Sequence, residues 1–113
     1  MNYMLTLLLL SMSSYTLAAG LSCPPVTFEQ LKLELKDKGD MNVIFFASWC
    51  VSCKPQLTRS HTDNTVFVVA FDEQERGEKT LNSFSVKQRC FTSDDTAKAL
   101  GVRSLPATKS FKF

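Results

Sequence analysis

Cys50 and Cys53 are the residues of this 113-residue chain best suited to chemistry. They stand three positions apart in the run Trp49-Cys50-Val51-Ser52-Cys53-Lys54, directly after the apolar run Val43 to Ala47. Two cysteines at that spacing, where a strand gives way to a helix, can close a small disulfide ring without moving the rest of a fold. Backbone N–H groups at a helix start, and the positive end of its dipole, favour a thiolate on the first cysteine. A thiolate is the attacking species in disulfide exchange. Cys50 is therefore the candidate nucleophile, expected to be exposed at the helix start with Trp49 shielding one side. Cys53, one turn further in and more buried, is the candidate resolving thiol, and Lys54 adds a positive charge nearby. A zinc half-site or a structural disulfide is the rival reading of any such pair. Zinc would need two more ligands, for which His61 and Cys90 are the only sensible candidates, in no recognised spacing. The pair is accordingly read as a redox-active disulfide with no metal.

A second motif stands downstream, Gly101-Val102-Arg103-Ser104-Leu105-Pro106-Ala107-Thr108. In this order and at this separation the two motifs resemble the CxxC and the cis-proline loop of the thioredoxin superfamily. The six residues from Trp49 to Lys54 look like the extracytoplasmic thioredoxin-like domain of the membrane electron carrier DsbD. The wider plan resembles the exported TlpA/ResA-like reductases. The resemblance covers roughly Val26 to Phe113, with its specificity concentrated in the two motifs. It implies a thioredoxin-like α/β fold and an enzyme, a thiol-disulfide oxidoreductase that reduces protein disulfides by exchange at Cys50 and Cys53. It further implies no cofactor, substrate contacts at Trp49, Leu105 and Pro106, and a Leu105–Pro106 bond that is cis, which proline tolerates far better than other residues. Its partners would be protein disulfides or dithiols and a membrane electron donor that recycles the pair, with the chain itself a monomer. One departure bears on mechanism. Cytoplasmic thioredoxins carry a buried aspartate in the central strand, and Ile44 stands at the matching position. Proton transfer then falls to water, or to Asp72 or Glu73, although a solvated loop acid is the preferred reading of those two. The Val51-Ser52 dipeptide does not settle the direction of electron flow. Two readings of other classes stay open, a non-catalytic binding module of the same fold and a metal-binding CxxC protein.

The elements that must position these residues are partly legible. Thr27 and Gln30 form a capping box at the start of a helix in which Phe28, Leu31 and Leu35 share one face, with Val26 stapling onto Leu31 and Gly39 as the stop. Val43 to Ala47 reads as a central strand buried on both faces. A helix from about Val51 to Ser60 follows, bent by Pro55 in its early turns. Thr65 to Phe71 is a second β run, and Leu81 and Phe84 mark a short helix within Glu78 to Val86. Ser93-Asp94-Asp95 caps a helix from Thr96 to Leu100 that Gly101 closes, and Ala107 to Phe113 is a last strand. In that strand Thr108, Ser110 and Lys112 make one polar face, opposite Ala107, Phe111 and Phe113, with Lys109 as the exception on the apolar side. The expected order is α-β-α-β-α-α-β, a thioredoxin-like fold shortened at its C-terminus by a strand and a helix.

Composition bounds the remainder. The chain is one small domain of 113 residues with 13 basic and 11 acidic side chains. A net charge of +2, with lysines spread from Lys32 to Lys112, argues against a nucleic-acid partner. Residues 1 to 22 hold no charged side chain; Leu5 to Leu10 is an apolar core and Ala18-Ala19-Gly20 are small. That layout reads as a signal peptide over 1–20, with 21–113 the domain and a periplasmic or otherwise exported location, although no Lys or Arg follows Met1. Membrane anchoring by an uncleaved signal or a lipidated Cys23 is a minority alternative. In an oxidising compartment Cys23 and Cys90 are candidates for a second disulfide.

Overall fold

A computed structural model describes residues 20–113. The proposed signal segment therefore lies outside the described residues apart from Gly20. Nine elements follow in order: α1 (Phe28–Glu34), β1 (Asp40–Phe46), a 3₁₀ turn (Val51–Cys53), α2 (Lys54–Thr58), β2 (Thr65–Val69), α3 (Gln74–Ser83), β3 (Arg89–Thr92), α4 (Asp94–Ala99) and β4 (Ala107–Lys112). The strands form one mixed four-stranded sheet in the order β3-β2-β1-β4. β1, β2 and β3 run parallel, and β4 lies antiparallel to β1, with Ile44 opposite Thr108 and Phe45 opposite Ala107.

Alternation along the strands divides the core in two. Ile44, Phe46, Phe67, Val69 and Cys90 face one side, where Leu57 of α2 and Leu81 of α3 cover them. Met41, Val43, Phe45, Val66, Val68 and Phe91 face the other, under Leu31 and Leu35 beside α1 and Ala97 of α4. Every residue of β2 is buried, as a parallel strand covered on both faces requires. β4, with a neighbour on one side only among the described residues, follows the expected polar pattern: Thr108, Ser110 and Lys112 are exposed, as is the exceptional Lys109, while Ala107, Phe111 and Phe113 are half-buried.

The helix boundaries depart from sequence expectation in physically informative ways. The Thr27–Gln30 capping box forms in both directions, at 3.1 and 2.8 Å. The helix ends at Glu34, however, and Gly39 (φ 76°) serves the turn into β1 rather than the helix stop. Pro55 does not bend a helix. The α-helix begins at Lys54, so Pro55 falls in its first turn, where its missing N–H has no intrahelical partner to lose. The charged run Glu73 to Lys79 contributes most of α3, which spans Gln74–Ser83 rather than starting at Glu78. Its core-facing residues include Gly77, packed so closely on β2 that a Cβ there would collide with the Val69 side chain. No signal in the sequence announces β3 (Arg89–Thr92). Its four residues are too few for a periodic signal, and only their register beside β2 makes them a strand.

An extended N-terminal segment closes the outer edge of β3. Thr92 N–H donates to the Pro24 carbonyl and Val26 N–H to the Thr92 carbonyl, both at 3.0 Å. Cys23 is joined to Cys90 by a disulfide with 4.6 Å between Cα atoms, and both residues are buried. α3 holds the segment from its other side. Glu78 Oε2 accepts Cys23 N–H at 2.7 Å and the Gln74 amide at 2.9 Å, and Asn82 Oδ1 accepts Leu21 N–H at 2.9 Å. Donation by Cys23 N–H, then by Gln74, holds the Glu78 carboxyl below its ordinary value of 4.5; partial burial opposes the shift and Ser22 adds to it.

Two outcomes follow for stability. Replacing Cys23 and Cys90 together by Ala removes a cross-link between residues 67 positions apart. The chain-entropy cost of such a loss is about 4 kcal/mol, measurable as a lower urea midpoint than that of the oxidised wild type. Because the Glu78 pKa is depressed on folding, its contribution is complete above the ordinary value and is lost as pH falls through the lowered one. Glu78→Gln should therefore flatten the fall in stability with acidification below about pH 5, followed by urea unfolding at successive pH values.

Candidate functional site

β1 ends where its apolar run is used up. Ala47 is the last buried residue before the chain turns, and Cys50 N–H donates to the Ala47 carbonyl at 3.1 Å. The 3₁₀ turn follows, with Cys53 N–H on the Cys50 carbonyl at 3.1 Å, and then α2. This folding brings Cys50 and Cys53 to 5.4 Å between Cα atoms, joined by a disulfide. Both belong to the core cluster with Leu57 and Phe67.

Cys50 is less exposed than the sequence suggests. It is 6% exposed against 0% for Cys53, so the expected ranking holds but the outer cysteine is buried. Its Sγ is bonded to a fully buried partner and lies within the apolar cluster that covers this side of the sheet. The helix start also gives a Cys50 thiolate little support. The turn after Cys50 is 3₁₀, and α2 has only five residues, so few aligned peptide dipoles stand behind the first cysteine.

Trp49 and Val51, on either side of Cys50, are 59% and 74% exposed. The Trp49 indole N–H donates to the Phe71 carbonyl at 3.0 Å, which ties the CxxC loop to the loop leaving β2. Asp72 makes a second tie. Its Oδ2 accepts Ser48 N–H at 2.7 Å and its Oδ1 accepts Glu73 N–H at 2.8 Å. Asp72 is thus neither a solvated loop acid nor a carboxylate with idle oxygens. It is an acceptor that closes the turn two residues before Cys50. The loop is anchored from behind, since Phe71 N–H donates to Asp94 Oδ1 at 2.6 Å at the start of α4. These roles of Phe71, Asp72 and Asp94 leave no pattern in the sequence. Asp72 and Asp94 lie 22 residues apart, and only the fold brings them to the same loop.

The second motif comes from the turn between α4 and β4. The Leu105–Pro106 peptide bond is cis. Pro106 is exposed, whereas Leu105 is half-buried and packs against the cluster that contains both cysteines. Ile44 is buried on the same side of the sheet as the pair, and it offers no ionisable group there.

His61 Nε2 lies 2.6 Å from the Gln56 carbonyl and its ring meets Phe67 edge-on, so it caps the end of α2. With Cys90 bonded to Cys23, neither proposed extra zinc ligand is held ready beside Cys50 and Cys53. Among the described residues no three or more His, Cys, Asp or Glu side chains are grouped to hold a metal ion. No helix among them is long and apolar enough to cross a membrane. Comparison of the chain with protein-family models, with curated proteins and with solved structures finds no match.

The Asp72 tie has a measurable consequence. Asp72→Ala leaves Ser48 N–H without its charged acceptor, and a charge-assisted hydrogen bond of this kind contributes about 1.5–3 kcal/mol. The variant should lose stability in that range and show faster amide exchange at Ser48, while Asp72→Asn, which keeps an oxygen acceptor, should recover part of both.

Proposed function

We propose that this protein is an exported thiol-disulfide oxidoreductase of thioredoxin-like fold that reduces protein disulfides. The observation that carries the reading is the Cys50–Cys53 pair, closed as a disulfide at the end of a central parallel strand. Exposed apolar residues flank its outer cysteine on both sides. The mixed sheet, with β4 antiparallel beside β1 and entered through Leu105 and Pro106, is compatible with that fold. The buried Cys23–Cys90 disulfide and the uncharged N-terminal stretch support an oxidising compartment.

In the dithiol state, the Cys50 thiolate attacks one sulfur of a partner disulfide. A mixed disulfide forms, and the first partner sulfur leaves as a thiolate that takes a proton from water. Cys53 then gives up its proton and attacks Cys50 Sγ. The Cys50–Cys53 bond forms and the second partner thiolate departs. Two electrons have passed to the partner, and a dithiol donor at the membrane must return two to this pair. With Ile44 in place of an acid, the Asp72 oxygens engaged and the Glu73 carboxylate out in solvent beside Arg76, the Cys53 proton is taken up by water.

A non-catalytic binding module would use the same exposed face without turnover, so activity decides between the readings. Cys50→Ser should abolish reduction of insulin disulfides, and Cys53→Ser should accumulate a mixed disulfide on Cys50 that non-reducing electrophoresis detects. Turnover that persists without Cys50 would reject the mechanism. The potential of the Cys50–Cys53 couple should lie closer to about −270 mV than to about −120 mV, as expected of a reductant.

A further inference from the structure

Among the described residues four large apolar side chains are exposed, Leu33, Trp49, Val51 and Phe71. Three of them belong to the two tied loops that carry or border Cys50. Phe71 is the unexpected member. Its backbone is left-handed, with φ 59°, a conformation that glycine takes freely and that a bulky side chain resists. The loop needs only the Phe71 backbone: its N–H donates to Asp94 and its carbonyl accepts the Trp49 indole. The ring joins neither core cluster and is 36% exposed. A glycine would make the same two ties with less strain, so the turn by itself does not account for an aromatic residue here. Unfavourable backbone held in place beside a reactive centre points to a use for the side chain.

We propose that Phe71 is a specificity-determining residue of the Cys50–Cys53 centre. Its ring forms, with Trp49 and Val51, an apolar rim that receives an apolar side chain adjacent to the substrate's disulfide cysteine. The proposal rests on the redox reading given above and names its substrate class: protein disulfides flanked by residues such as Leu or Phe. Small hydrophilic disulfides offer nothing for the rim to contact. The hydrogen bond between the two loops holds Trp49 in place before the substrate arrives, so little side-chain freedom is lost when the mixed disulfide forms.

The test is single-turnover oxidation of the reduced protein, followed by Trp49 fluorescence. Its substrates are two disulfide peptides that differ only in Leu or Ser beside the cysteine, and oxidised glutathione. Phe71→Gly removes the ring and keeps the left-handed backbone, and Phe71→Asn provides a second residue that tolerates it. Both variants should lose about tenfold in the second-order rate constant for the Leu peptide, through a higher half-saturation concentration. Rates with the Ser peptide and oxidised glutathione, and the potential of the pair, should stay at wild-type values. Equal losses on all three disulfides, a shifted potential, an unchanged rate with the Leu peptide, or a loss confined to the glycine variant would each overturn the proposal. A wild type that reacts with none of the disulfides would overturn the redox reading itself, and that result appears before any variant is made.

Discussion

Burial of β1 and β2 on both faces is the constraint on which the other features depend. Two adjacent parallel strands whose buried positions are mainly Val, Ile and Phe need apolar cover above and below, and helices on both sides of the sheet supply it. The chain must therefore leave the end of β1 and enter a helical layer within a few residues. Cys50 and Cys53 occupy that exit. Their proximity follows from the 3₁₀ turn, and the inward pull of the core explains why even the outer cysteine is mostly covered.

The acidic residues near the site act mainly on backbone. Asp72 and Asp94 receive N–H groups of Ser48 and Phe71, and Asp95 receives Phe28 N–H at 2.8 Å. α4, six residues long, thereby steadies both the loop after β2 and the first turn of α1. A carboxylate accepting a backbone N–H gives a stronger bond than a neutral acceptor and fixes direction as well as distance. The ion pairs Lys32–Glu29, Arg76–Glu73 and Arg89–Glu34 are solvent-exposed and contribute little by comparison.

The edges of the sheet are treated differently. On the β3 side the N-terminal segment pairs with Thr92 and is locked by Cys23–Cys90, so the short strand is sealed. On the β4 side the edge carries Lys109 and Lys112, and polar exposed residues of this kind discourage pairing with another chain. The second disulfide thus belongs to the edge most in need of it, since a four-residue strand offers few hydrogen bonds of its own.

Legible in the residues alone were the two motifs, the capping box at Thr27, a cap in the run Ser93-Asp94-Asp95, the two central strands and the polarity of one face of β4. Each is a local property, set by residue type and by spacing of a few positions, and local interactions keep it in the folded chain. With Cys50 and Cys53 taken as one pair, the sequence also offered Cys23 and Cys90 as a second bridge, which the fold closes. What lay out of reach was everything that depends on contact between distant segments. β3 is a strand because β2 offers it a ladder, and α3 is buried through a glycine and a leucine that give almost no hydrophobic pattern. The outward turn of Phe71 follows a strand buried at every position, where no alternation could announce it. The tie from Asp72 to Ser48 spans 24 residues and required the register of β1 against β2. Tertiary structure decided these points because a hydrogen-bond partner or a covering surface is a fact of three-dimensional neighbourhood, which short-range spacing along the chain does not encode.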